Sequence, residues 1–321
     1  MADKARLFKI DSQPPLIQLI VSFLIVIIAG TLLFYLFVFA GSLIFGTEIE
    51  KMLLIPSSNA GIKDNLSVRY VQVCQQVALF LIPSLIIIYL IRRENEAFLG
   101  MDKFPAIITI LLIIILSLLT IPITSYTGML NSKMNLPDWL SGVEEWMITK
   151  EDSASDLTDL LITSSGFVAF SVNILILAVI PAFGEEMLFR GVLQQLLCRT
   201  FRSSHSGIWL TAIIFSTIHF QFFGFIPRLI LGLSFGYLFY WSRNLWVPVI
   251  AHFINNVVPV IISYYAGWKE LREKSMNLKD QGMMIPFVQI IFCILIFYYF
   301  WSEYRKRQKE ESDQIHENII T

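Results

Sequence analysis

From Leu16 to Gly46 the chain carries no charged residue. At about 1.5 Å rise per residue, a helix over this run exceeds the roughly 30 Å hydrocarbon core of a bilayer. The run is also far longer than the roughly 7–15 residue apolar core of a cleavable signal peptide, so it reads as a first membrane span. Further apolar runs follow at 68–91, 104–126, 163–200, 208–224, 227–242, 245–265 and 285–302. The run at 163–200 is interrupted, and the one at 245–265 is weakened by polar residues. The fold class expected is all-α: a polytopic membrane helix bundle of about eight transmembrane helices.

Composition agrees. Only 15% of the residues are charged, against roughly 25% in soluble domains, and mean hydropathy is +0.66. A net charge of -1 supplies no field for nucleic acid. Cys74, Cys198 and Cys293 form neither a disulfide framework nor a CxxC pair and read as small buried apolar residues.

Basic residues set the expected orientation, because cytoplasmic loops are enriched in Lys and Arg. Lys4, Arg6 and Lys9 precede the first run, Arg92 and Arg93 follow the second, Arg199 and Arg202 the fourth, Arg243 the sixth, and Arg305 to Lys309 the eighth. Every second boundary is basic, which places both termini in the cytoplasm. The intervening loop from Thr127 to Leu160 is acidic and is expected outside as a solvated loop with a surface helix around Leu136–Trp146. The expected organisation is 1–126, N-terminal helices without a motif; 127–162, an acidic extracytoplasmic loop; 163–265, a core that carries the polar residues and motifs described below; and 266–321, a last helix with a charged cytoplasmic tail. The basic tail could touch anionic headgroups, although marking topology is the simpler role.

Ionisable residues inside spans are expensive, about 2.5–3.5 kcal/mol for Arg, Lys or Asp at mid-bilayer on insertion scales. Of the four histidines, His205 falls in a loop and His316 in the tail, whereas His219 and His252 lie within spans, as do Glu185, Glu186 and Arg190. Glu186 and Arg190 stand four apart and can pair on one helix face. Glu185 is rotated about 100° away, outside that pair. His252 and Asn256 also share a face, and Asn255 does not. Counted from Arg199, Gly207 and Arg243, Glu185, His219 and His252 lie at roughly 21, 18 and 14 Å depth, close enough to meet in one cavity expected to open to the cytosol. A straight helix over 163–200 would be too long for the bilayer, and a bend or break is expected, with Pro181 and Gly184 the obvious places. Such a break would admit water beside Glu185.

A carboxylate and an imidazole in a partly dry cavity can share a water and remove its proton. A second imidazole and an amide, His252 and Asn256, can donate to a developing oxyanion. The set suits amide hydrolysis without a nucleophilic Ser or Cys. Two other readings stay open at this point. Glu185, His219 and His252 are also the ligand types of a catalytic zinc site, though HExxH is absent; alternatively, the polar cluster only clips helices together.

Glu185–Arg190 reads as EExxxR, Phe215–His219 as FxxxH, and His252–Asn256 as HxxxN. In this order the motifs resemble the CPBP family, which includes type II CAAX prenyl proteases and bacteriocin-processing or self-immunity membrane proteins. The likeness covers about residues 163–265. The resemblance implies an intramembrane endopeptidase in which Glu185 and His219 activate water. It further implies that His252 and Asn256 stabilise the oxyanion, with Glu186, Arg190 and Phe215 in support. The family has been described both as metalloproteases and as glutamate proteases, so zinc remains an open cofactor alternative. The expected partners are membrane lipids and a protein or peptide substrate, lipidated or not, and the expected location is the bacterial cytoplasmic membrane. The competing functions are a non-catalytic immunity or scaffold protein of the same fold and, more remotely, a proton-coupled transporter. Gly232 and Gly236 form a small-xxx-small step that is expected to serve internal packing rather than dimerisation.

Overall fold

The structure is a computed structural model that describes residues 10–54, 65–91, 99–134, 136–162, 166–267 and 287–320. The boundary residues Lys4, Arg6, Lys9, Arg92 and Arg93 lie outside the described residues. Apart from a short helix at Ile49–Leu54, the helices in chain order are α1 (Pro15–Phe45), α2 (Leu66–Ile91), α3 (Ile107–Asn131), α4 (Ser141–Ile162), α5 (Phe167–Phe201), α6 (Ser204–Thr217), α7 (Phe225–Ser242), α8 (Trp246–Ala266) and α9 (Phe287–Ile320). Among the described residues there is no strand. Among the described residues, seven helices are long and apolar enough to cross a membrane: α1, α2, α3, α5, the segment Phe222–Ser242 that contains α7, α8, and α9 over Phe287–Gln314. The protein is thus a polytopic helical membrane bundle.

The run expected to span at 208–224 behaves differently. Its helix, α6, has 14 residues, about 21 Å, and stops short of a full crossing. The chain then reverses through Phe220, a non-glycine residue in the left-handed region at φ 51°, and a 3₁₀ turn at Phe222–Gly224. Asn131, buried at the end of α3, fixes this reversal: its amide donates to Phe222 O at 2.9 Å and its carbonyl accepts from Ile226 N at 2.9 Å. His219 therefore sits on a turn, not within a helix.

Of the bend or break expected at Pro181 and Gly184, the break does not occur. Residues 167–201 form one helix containing two wide π-helical turns, Leu175–Val179 and Phe189–Gln194. Pro181 has no N–H, and its ring crowds the carbonyl four residues back. That carbonyl, of Leu177, lies in the first wide turn, where the i→i−5 pattern relieves the conflict without breaking the helix. Gly184 is a point of close approach instead of a hinge. A Cβ there would lie 3.3 Å from Phe80 Cβ and 3.7 Å from Gln76 O, so its small size lets α2 press against α5.

The α6–α7 hairpin is drawn together in the same way. A Cβ on Gly232 would lie 3.1 Å from Ala212 Cβ, and one on Gly236 would lie 2.9 Å from both Gln194 Oε1 and Ile208 Cγ2. The small-xxx-small step thus packs internally. At the basic end, the Arg307 side chain donates to the carbonyls of Trp241 and Ser242 at the end of α7, and Arg243 pairs with Glu311 at 2.9 Å. These contacts tie α9 to the hairpin.

The helix expected around Leu136–Trp146 in the acidic stretch begins at Ser141 and runs on to Ile162. Helix α4 lies against the Phe220–Gly224 turn, with the Trp146 ring 6.3 Å from Phe220 and 5.3 Å from Phe222. Burial pushes the Glu151 carboxyl above its ordinary range, against the opposing pull of Arg228 and of a hydrogen bond from the Phe223 amide, while neighbouring Asp152 adds to the rise. A raised carboxyl favours the docked state when protonated, and this contribution is lost as pH climbs from the ordinary carboxylate value through the elevated one. Amide-exchange protection of 141–162, corrected for intrinsic rates, is therefore expected to fall across that window, and Glu151→Gln should flatten the fall. Protection independent of pH in the unmodified protein would contradict it. A second expectation concerns packing. A Cβ on Gly207 would lie 2.6 Å from the Cys198 backbone N, whereas one on Gly142 meets nothing within 4 Å. Gly207→Ala should cost about 1–3 kcal/mol in thermal unfolding of the purified protein and Gly142→Ala almost nothing, with equal melting of the two variants as the contrary result.

Candidate active site

The site is built outward from the middle of α5. Glu186 and Arg190 are both fully buried and pair at 2.7 Å, one helical turn apart. The Arg190 guanidinium also donates to Gly232 O at 3.0 Å, and one turn further along Gln194 donates to Gly236 O at 3.0 Å. These two bonds stitch the second wide turn of α5 to α7. The guanidinium lies 4.9 Å from the centroid of Phe215, 5.4 Å from Phe235 and 5.9 Å from Phe189. Such an aromatic cage offers about 2 kcal/mol of desolvated cation–π attraction per good contact and keeps water from the pair. Phe215, the aromatic of the FxxxH motif, also packs edge-on against both His219 and His252, at 4.9 and 6.1 Å.

Glu186 has a second task. The same oxygen that meets Arg190 lies 2.8 Å from His252 Nδ1, and Phe235 stacks on the imidazole at 5.2 Å and 21°. Because a carboxylate only accepts, Nδ1–H donates, and His252 turns Nε2 toward the interior. His219 is oriented by the same logic: its Nδ1 lies 2.7 Å from Phe215 O, a carbonyl that can only accept. Both rings thereby present Nε2 to Glu185 Oε2, at 3.9 Å from His219 and 4.0 Å from His252. Glu185 is 5% exposed, and its other oxygen accepts from Gln76 Nε2 at 3.1 Å.

These groups line a cavity of about 240 Å³ together with Asn256 and Arg228. Asn255 also borders it, but its amide donates to Ala251 O at 2.9 Å, which leaves Asn256 as the amide free to meet a ligand. The lining residues His219 and Arg228 flank the reversal between α6 and α7, the ends of these helices remote from Arg202 and Arg243. The cavity thus lies toward the end of the α6–α7 hairpin opposite Arg202 and Arg243. The short α6 sets its turn, and the covering helix α4, at the other end of the hairpin.

Two lining or supporting residues carry no motif and escape sequence reading: Gln76 and Arg228. Gln76 comes from α2, in the part of the chain expected to contribute no site residue. Both do carry a signal, as polar residues within apolar runs.

The donor set of Glu185, His219 and His252 can be compared with that of a zinc site. Tetrahedral zinc with bonds near 2.0–2.1 Å brings its ligand atoms to about 3.3 Å from one another. Here the carboxylate–imidazole separations are 3.9 and 4.0 Å, and no group of three potential ligands among the described residues is arranged to hold a metal ion. Both separations are longer than tetrahedral zinc would set between its ligand atoms. The same separations suit a single water that hydrogen-bonds to both partners at about 2.8 Å.

Comparison with known proteins agrees with this centre. Residues 167–258 match the family described as type II CAAX prenyl endopeptidase Rce1-like. The Bacillus subtilis (strain 168) protein "Uncharacterized protein YpbD" is 38% identical over 90 residues, covering 27% of this chain and 43% of YpbD. "Putative membrane peptidase YdiL" of the same organism is 22% identical over 111 residues, covering 35% of this chain and 45% of YdiL. The chain therefore spans less than half the length of these relatives, and no solved structure matches it. Every residue of the EExxxR, FxxxH and HxxxN motifs lies inside the matched segment, and the resemblance to the type II CAAX prenyl endopeptidases holds across residues 167–258.

Proposed function

We propose that the protein is an intramembrane endopeptidase that hydrolyses peptide bonds of a membrane-associated or lipidated protein or peptide in the bacterial cytoplasmic membrane. The observation that carries this reading is the convergence of Glu185 Oε2 with the Nε2 atoms of His219 and His252, at 3.9 and 4.0 Å, in one cavity. A water placed between Glu185 and His219 gives one proton to the carboxylate and its second hydrogen bond to His219 Nε2, and attacks the scissile carbonyl. Gln76 holds the far oxygen of Glu185, so the near oxygen is kept aimed at the water. The tetrahedral intermediate places its oxyanion toward His252 and Asn256. On collapse, Glu185 returns the proton to the leaving amine nitrogen, which restores the resting carboxylate.

His252 has a requirement that its motif does not reveal. Its Nδ1–H is committed to Glu186, so Nε2 can donate to an oxyanion only when the ring is an imidazolium. Glu186 is the counter-charge for that cation as well as for Arg190. Asn256 donates through its amide without any change of charge.

The reading is supported by the matched endopeptidase family and by a relative described as a membrane peptidase. Glu185→Gln and His219→Gln should lower cleavage of a random peptide library by about 10²–10⁴-fold with the melting temperature preserved. Asn256→Ala should lower kcat by about 10²–10³-fold and change KM little. Cleavage by Glu185→Gln at the unmodified rate would contradict the mechanism, and full biological function of that variant would favour a non-catalytic immunity or scaffold role.

A further inference from the structure

The cavity contains a cation for which the hydrolytic mechanism has no use. Arg228, on the first turn of α7, lines the same space as Glu185, His219, His252 and Asn256. One edge of its guanidinium is fixed by Gln221, whose backbone carbonyl accepts from Nη1 at 2.9 Å and whose side-chain oxygen accepts from Nη2. Glu151 and Glu185 attract it electrostatically, yet it forms an ion pair with neither among the described residues. Glu185 is already held by Gln76 and faces the two imidazoles, and Glu151 accepts from the Phe223 amide. A guanidinium has five donors in a planar fork, so the edge not used by Gln221 remains available. Arg228 is only partly buried beside the cavity, and an anion brought by the ligand would give it the close partner that Glu151 and Glu185 do not. The planar fork suits a carboxylate, which it can bind through two parallel hydrogen bonds.

We propose that Arg228 is a substrate-anchoring residue that binds a carboxylate of the peptide beside the bond addressed by Glu185 and His219. The proposal rests on the peptidase reading and adds a substrate class to it. The carboxylate comes either from the C-terminus of the peptide or from an Asp or Glu side chain, and both present the same planar anion. Its binding neutralises Arg228 and holds the chain at a fixed distance from the attacking water. It also offsets the repulsion that Glu185 would otherwise exert on an acidic substrate.

The test uses the full-length protein in proteoliposomes and short random-sequence peptides. The peptides carry a free or an amidated C-terminus, and either contain or lack Asp and Glu. Cleavage is read by mass spectrometry, and binding of fluorescent versions is read on the Glu185→Gln protein with and without Arg228→Gln. Carboxylate-bearing peptides should be cleaved and bound about ten- to a hundredfold better than their neutral counterparts, as a charge-assisted bond allows. Arg228→Gln should abolish that preference chiefly through KM, and Arg228→Lys should restore part of it. Loss of preference on amidation assigns the C-terminal carboxylate; loss on removing Asp and Glu assigns the side chain. A preference that survives Arg228→Gln, the absence of any preference, or an equal fall for all peptides would overturn the proposal. The last result would make Arg228 only a brace of the His219 turn. Cleavage without an Arg228-dependent preference would sink the anchor alone, whereas Arg228-dependent binding without cleavage by any variant would sink the peptidase reading alone.

Discussion

The buried pair of Glu186 and Arg190 is the constraint on which the rest of the site depends. Neither residue has any exposure, and breaking such a pair by removing one partner costs about 3–5 kcal/mol because the other charge is left stranded. The pair is stable here because each member has further partners. Arg190 reaches Gly232 O and sits among three phenylalanine rings, and Glu186 takes the proton side of His252. One ion pair therefore fixes the spacing of α5 from α7, the close approach at Gly232, and the ring orientation on α8. The motif residues then act as one unit in which Glu186, Arg190 and Phe215 orient the groups that face the cavity.

Orientation of the imidazoles is the finest consequence. Glu186 and the Phe215 carbonyl each capture an Nδ1–H, so both Nε2 atoms point at one oxygen of Glu185. Gln76 captures the other oxygen. A carboxylate with one oxygen anchored and the other facing two imidazoles is organised before any substrate arrives, which is the condition under which electrostatic stabilisation of a transition state costs least.

Much of this was legible in the sequence. The apolar runs define the helices, and the four-residue spacings of Glu186 with Arg190 and of His252 with Asn256 reflect simple helical periodicity. What could not be read follows from interactions distant in sequence. Pro181 looks like a break because its local rule forbids a normal helix, but a wide turn absorbs the conflict. Gly184 looks like a hinge because its neighbour Phe80 is more than a hundred positions away. The run at 208–224 looks like a span because composition does not reveal that Asn131 will fold the chain back at Phe222. Gln76 and Arg228 carry no motif and become part of the site only when α2 and α7 are brought to α5. The helix expected in the acidic loop runs further than its composition suggests, and its Trp146 face has a partner only once the His219 turn is in place.

Direct attack by water is the claim on which the chemistry stands, and the oxygen of the product reports on it. Cleavage of the peptide library in H₂¹⁸O, with hydroxylamine as a competing nucleophile, should place one ¹⁸O in each newly formed carboxylate and yield no hydroxamate. A hydroxamate product would reveal an acyl-enzyme on a protein side chain and contradict activation of water by Glu185 and His219.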